Sequence, residues 1–155
     1  MNVETLLNAI RSNDKENVKN ILNKHPELLN AKDSRGSTPL LLATYYGYEE
    51  ITELILNHNP EMDAKDASGN TALMGICFKG YYNIAEMLIN AGTNVNATNA
   101  NNATPLIYAA TFGHKGIIEL LMKNGANHKI TDSQGNDPVM LAKNQGLNVE
   151  ELFGV

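Results

Sequence analysis

Residues 33–65 read DSRGSTPLLLATYYGYEEITELILNHNPEMDAK, and residues 66–98 read DASGNTALMGICFKGYYNIAEMLINAGTNVNAT. Laid over one another, the two segments agree wherever a residue shapes the backbone or the core. Gly36 falls on Gly69, Thr38 on Thr71, Leu40 on Leu73, Gly47 on Gly80, Ile51 on Ile84 and Ile55 on Leu88. A sequence period of 20–50 residues decides architecture before any local reading does, because it marks stacked copies of one small unit.

Outward from this pair the register of 33 persists. The turn glycines continue as Asn102 and Gly135, the second glycine column as Gly113 and Gly146, and the threonine column as Thr104 and Asp137. The apolar columns keep step, with Leu106 and Val139 following Leu73, and Leu54, Met87 and Leu120 forming another series. The first stretch joins with a one-residue slip, Ala9 and Asn13 lying 34 before Ala43 and Gly47.

Each column has a physical task. Thr38-Pro39 reads as N-cap then first helical position: the hydroxyl accepts from a free backbone N–H, and proline's missing donor costs nothing there. Thr104-Pro105 and Asp137-Pro138 repeat the device, while Thr71-Ala72 keeps only the cap. A short apolar helix follows, such as LLLATYY or LIYAATF, and a residue with positive φ ends it at Gly47, Gly80, Gly113 or Gly146. The second helix carries apolar residues at i, i+3 and i+4, as in Ile117, Leu120 and Leu121. It ends near Asn59, Gly92 or Gly125 and gives way to polar extended chain such as TNVNATNANNA.

The expected fold is all-α: a solenoid of about five helix-turn-helix units with turn or hairpin tips, forming one domain over 1–155. The units run 1–32, 33–65, 66–98, 99–131 and 132–155. The first and last differ as caps should, the first carrying Asn8, Asn13 and Asn20 and the last turning polar at KNQGLNVEE. With both ends capped, the default state is a monomer.

The two quoted units resemble the ankyrin repeat, whose pattern runs D-x-x-G-x-T-P-L-H-x-A through the first helix and continues to a second glycine. The resemblance extends over nearly the whole chain. It implies an interaction module that binds a protein partner through a concave groove, lined by the turn tips and the exposed ends of the first helices. The family's usual histidine after T-P-L is replaced here by Leu41, Met74, Ile107 and Met140. The joints between repeats are therefore expected to rely on apolar packing.

Transferred to this chain, the groove positions give Arg35, Ser37, Asn70 and Asn101 from the tips, and Tyr45, Tyr46, Phe78, Lys79, Thr111 and Phe112 from the helix ends. The aromatic members recur just before the glycine in three consecutive repeats, and Arg35 is expected beside them. Aromatic and arginine anchors concentrate binding energy at protein interfaces. Tyr48, Tyr81 and Tyr82, just past the glycine, are assigned instead to stapling the loop.

Composition excludes several classes. The 12 basic residues are scattered and the formal charge is −5, against a nucleic-acid surface. No apolar run approaches the ~20 residues of a membrane span, and no signal-peptide pattern opens the chain, so the default location is cytoplasmic. The single Cys77, among Met74, Ile76 and Phe78, reads as a buried thiol. The four histidines, His25, His58, His114 and His128, lack the spacing of a helical metal pair. No nucleophile elbow, P-loop or dinucleotide fingerprint appears, so neither an enzyme nor a cofactor is expected.

A second function comes from the resemblance alone. Some small bacterial ankyrin proteins are associated with catalase and its haem supply. A haem site would need an exposed histidine or tyrosine against an apolar wall, and His114 near Phe112 is the candidate.

Overall fold

Every first helix begins at an oxygen that accepts a free backbone N–H. Thr38 Oγ1 accepts from Leu41 N at 3.2 Å, Thr71 Oγ1 from Met74 N at 3.4 Å and Thr104 Oγ1 from Ile107 N at 3.2 Å. Asp137 Oδ1 accepts from Met140 N at 2.8 Å, and Asn2 Oδ1 from Thr5 N at 3.2 Å. These caps open α1 (Val3–Arg11), α3 (Pro39–Tyr45), α5 (Ala72–Lys79), α7 (Pro105–Thr111) and α9 (Pro138–Asn144). The second helices are α2 (Lys15–Lys24), α4 (Glu49–Leu56), α6 (Tyr82–Asn90), α8 (Lys115–Lys123) and α10 (Val149–Phe153). The computed structural model describes all of residues 1–155, and a short 3-10 turn at Pro26–Leu28 follows α2. No strand forms, so the chain is an all-helical repeat solenoid.

Between the two helices of each pair the chain reverses at a left-handed residue, Gly47, Gly80, Gly113 or Gly146, and in the first pair Asn13 at φ 53°. Each hairpin then lays its apolar face on the next. Leu6, Leu7, Ile10, Ile51, Ile55, Leu73, Ile76, Ile84, Leu88, Leu106, Ile117 and Leu121 belong to one uninterrupted core running the length of the stack. The first helices approach one another more closely than the second helices do. Their facing residues explain this, since Ala43, Thr44, Gly75, Cys77, Ala109, Ala110 and Ala142 are small, while the second helices meet through isoleucine and leucine. Cys77 is fully buried between the first helices, and burial pushes its thiol pKa far up.

The end units lack a neighbour on one side, and their composition follows. Met140, in the column of the buried Met74 and Ile107, is exposed, since no helix after α10 packs over it among residues 1–155. The short α10 is held by its own apolar end, with Leu152 and Phe153 buried and the Phe153 ring 5.8 Å from that of His128.

The tips are turns too short to make strands. In each, one side-chain oxygen collects two backbone N–H groups at 2.9–3.0 Å: Asp33 from Arg35 and Ser37, Asp66 from Ser68 and Asn70, Asn99 from Asn101 and Ala103, and Asp132 from Gln134 and Asn136. The turn residue is left-handed, and at Gly36 and Gly69 a Cβ would also lie 3.0 Å from the backbone of the neighbouring tip. Glycine thus serves both the turn and the stacking of tips.

The joints hold more than the apolar packing expected from the missing histidines. Lys32 Nζ donates to Lys65 O and Lys65 Nζ to Thr98 O, both at 2.7 Å. Asn30, Asp63 and Asn96 each accept from the backbone N–H of the next repeat, on Glu61, Asn94 and Asn127. Neighbouring tips join through Ala100 N to Ser68 O and Ser133 N to Asn101 O. Polar ladders thus link the repeats alongside the apolar packing.

Two outcomes test this account. Thr52 Oγ1 is buried without a hydrogen-bond partner, and the same column holds Ala85 and Ile118 in the next repeats. Thr52→Val should therefore be neutral or stabilise by up to about 1 kcal/mol in urea unfolding. At Asp132, burial opposes the charge, but the N–H groups of Asn136 and Gln134 together outweigh it and hold the carboxyl below its ordinary range. The stability it adds is whole above the unfolded aspartate value near ~4 and drains away as pH falls through its own lower one. Asp132→Asn keeps the accepting oxygen, as Asn99 does one repeat earlier. The advantage of wild type over this variant, about a few tenths of a kcal/mol after solvent screening, should shrink below pH ~4. An advantage independent of pH would remove the carboxylate from the account.

Candidate partner-binding groove

The ends of the first helices carry four of the chain's six exposed rings. Tyr45 is 48%, Tyr46 45%, Phe78 41% and Phe112 47% exposed, values unusual for side chains of this size in a stack whose interior is otherwise dry. The periodicity accounts for the placement, because one column comprises Tyr45, Phe78 and Thr111, and the next Tyr46, Lys79 and Phe112. Rings in adjacent repeats meet. Phe78 and Phe112 stack with centroids 4.9 Å apart and planes 11° apart; within the second repeat, Tyr46 stacks on Tyr48 at 5.6 Å. Lys79 Nζ sits 4.3 Å from the centre of the Tyr45 ring. The Phe78 and Phe112 rings thus pack on each other across a joint while each keeps a large exposed surface.

Two shallow clefts run from these ends toward the tips. Ser37, Tyr45, Asn70 and Gly75 line one of about 210 Å³ between α3 and α5, with Leu41 and Leu42 as its apolar wall. Asn101, Thr111 and Phe112 line another of about 270 Å³ between α7 and the tip of the fifth repeat, together with Ile107 and Tyr108. Larger hollows lie between the second helices, where one of about 550 Å³ is walled by Lys15, Glu16, Lys19, Glu50 and Glu53. Volume does not single out a binding place here, since that hollow is an open polar seam on the outer layer.

The structure brings nine of the ten residues named from the sequence into or beside this strip, all but Arg35, with Tyr46 edge-on to Tyr45 at 6.4 Å. Asn70 is partly committed to the fold, its Oδ1 accepting from Asn99 Nδ2 at 2.8 Å. The Thr111 hydroxyl donates to Ile107 O at 2.7 Å, leaving its methyl to the groove. Arg35 is exposed at the far end of the second tip, separated from Tyr45 and Tyr46 by the length of α3, and neither cleft includes it. Tyr46 turns toward Tyr48 and also lies outside both clefts.

The tyrosines past the glycine do more than staple their own loops. Tyr81 and Tyr82 are 37% and 43% exposed. The Tyr81 ring lies over Gly47 of the preceding repeat, and the Tyr82 ring beside Gly116 of the following one. Tyr48 Oη reaches Arg11 O at 3.5 Å. A recognisable signal existed in the sequence: glycines at 47 and 80 leave room that only the next repeat's ring can fill.

His114 uses the same geometry. Its ring covers Gly80 so closely that a Cβ there would lie 2.6 Å from Cε1, and its Nε2 is 3.2 Å from Phe78 O. As an Nε2–H donor it satisfies a carbonyl that the end of α5 leaves free. In the next joint Gln145 Nε2 donates to Thr111 O at 2.8 Å in the equivalent place. The nitrogen a haem iron would take is engaged in the fold. Elsewhere, His58 Nδ1 lies 2.9 Å from Leu54 O, and His25 Nδ1 3.2 Å from Glu27. That contact, with the Glu27 backbone N–H the larger influence, holds the Glu27 carboxyl below its ordinary range. No group of three or more His, Cys, Asp or Glu side chains converges as a metal site would require, and no helix is long and apolar enough to cross a membrane.

Stacked helical hairpins with projecting tips and an open first-helix face define a repeat scaffold of the kind that recognises other proteins. A family model described as ankyrin repeats (3 copies) matches residues 6–99 and again 92–153. The chain belongs to the ankyrin-repeat family, whose repeats generally mediate protein–protein interaction. No curated protein matches the chain.

The clasp over Gly80 can be tested by comparison with Gly92. Both are left-handed, at φ 83° and 97°, but nothing lies within 4 Å of a Cβ at Gly92. Gly92→Ala should cost about 1 kcal/mol from the backbone alone. Gly80→Ala should cost about 1–3 kcal/mol more from the clash, and His114→Ala in the same chain should relieve that excess. Equal losses at the two glycines would mean that the ring yields freely.

Proposed function

We propose that this protein is a monomeric, non-catalytic scaffold that holds a protein partner against the first-helix face of its second, third and fourth repeats. The observation that carries the reading is the run of half-exposed rings, Tyr45, Tyr46, Phe78 and Phe112, on three adjacent repeats. A folded chain leaves such rings in water at a cost, and contiguous exposed apolar surface marks interaction sites. The rings are also pre-positioned, by stacking across joints and by the cation on Tyr45, so little ordering entropy is lost when a partner covers them. Around them, Ser37, Asn70, Asn101 and Thr111 supply polar edges, and Arg35 extends the surface at the tip. Polar end repeats, with α10 closing the last one, favour a chain that does not stack on itself.

The test uses the full chain as bait against extract from its own cells, beside a Tyr45→Ala, Phe112→Ala variant. Each ring, if a hot spot, should contribute about 1–4 kcal/mol of binding, so proteins held by wild type should be lost from the variant. Circular dichroism should be unchanged, because both side chains lie outside the core. Retention of every wild-type partner by the double variant would retire this placement.

A further inference from the structure

Charge is divided between the two layers. Of the eleven glutamates, ten lie on the second helices or just beyond them: Glu16, Glu27, the α4 trio, Glu61, Glu86, Glu119 and the α10 pair. Glu4 on α1 is the exception, and it pairs with Arg11 at 3.5 Å. α3, α5, α7 and α9 carry no acidic residue at all. All six aspartates accept backbone N–H groups, three in the tips, Asp14 and Asp137 as helix caps and Asp63 across a joint. An acidic chain thus presents a first-helix face whose few carboxylates are already occupied.

On the first helices Lys79 and Lys143 stand without a carboxylate, and only Lys79 lies among the rings. Lys15 pairs with Glu50 at 2.7 Å, and Lys115 with Glu119 and Glu151. Lys79 has no carboxylate within 4.0 Å and rests on Tyr45, with Tyr46 and Phe112 in the same column of the flanking repeats. A partner seated on these rings must cover Lys79. A basic segment would strip water from the charge and repel it, and a neutral one could offer only carbonyl oxygens, as Lys65 O does to Lys32, whereas a carboxylate would add an opposite charge on the spot.

We infer that the segment bound on the aromatic strip is acidic, with a carboxylate at Lys79 beside an apolar side chain on the Tyr45 or Phe78–Phe112 rings. This rests on the strip being the binding surface, and the two ideas fail separately.

Phage displaying random dodecapeptides, panned on the full chain, supplies the probe. Selected peptides should be rich in Asp or Glu next to large apolar residues. The strongest, made synthetically and followed by fluorescence anisotropy, should bind at least tenfold more weakly to Lys79→Glu and several-fold more weakly to Lys79→Gln. Lys115→Glu, on the outer layer, should bind it as wild type does. Exchanging the peptide's acidic residue for lysine should restore binding to Lys79→Glu. Basic or uncharged selected peptides, no enrichment, or acidic peptides indifferent to Lys79 would overturn the inference. Peptides indifferent to Phe78→Ala and Phe112→Ala would instead overturn the strip itself.

Discussion

A two-helix hairpin of this length has an apolar side that it cannot cover alone. In this chain that side is covered by the next hairpin, and the whole molecule follows from the arrangement. Leu73 and Ile76 are buried because α3 and α7 lie on either side of α5. Contacts run only between neighbours, so no distant part of the sequence must be brought home to complete the core. Stability is the sum of many similar joints, and each joint can differ in detail without disturbing the rest.

The variation among joints shows how this freedom is used. The free carbonyl near the end of a first helix is met by Tyr48 in one joint, His114 in another and Gln145 in a third. Three side chains of different chemistry satisfy one backbone requirement. The tip turns behave likewise, with Asp33, Asp66 and Asp132 exchanged for Asn99 at no loss of geometry. Such exchanges keep the backbone constant and leave the outward-facing residues of the first helices free to specialise. The rings of the second to fourth repeats occupy those free positions, on a face whose helices α3, α5, α7 and α9 carry no acidic residue.

Most of the architecture was legible in the sequence because its signals are local and repeated. Caps such as Thr38-Pro39 and the stop at Gly47 depend only on backbone chemistry within a few residues, and four copies in register remove ambiguity. What was not legible depends on contacts between repeats. Nothing near Lys32 indicates that its ammonium reaches Lys65 O, so the sequence shows the apolar part of the joints and not the polar part. The same holds for the groove. Tyr45 and Phe112 could be placed at helix ends from spacing alone, but the distance of Arg35 from them depends on the length and direction of α3. The lone cation over Tyr45 could not be read either, since Lys79 belongs to a different helix from the ring it covers.

The chain has no tryptophan, and its six tyrosines are unevenly placed. Tyr45, Tyr46, Tyr48, Tyr81 and Tyr82 gather around the helix reversals of the second and third repeats, and Tyr108 alone lies elsewhere, on α7. Ultraviolet absorption and intrinsic emission are therefore local optical probes of the central repeats. They carry no tyrosine signal from the first hairpin or the last, so a melt followed by emission and one followed by helix content report on different parts of the molecule.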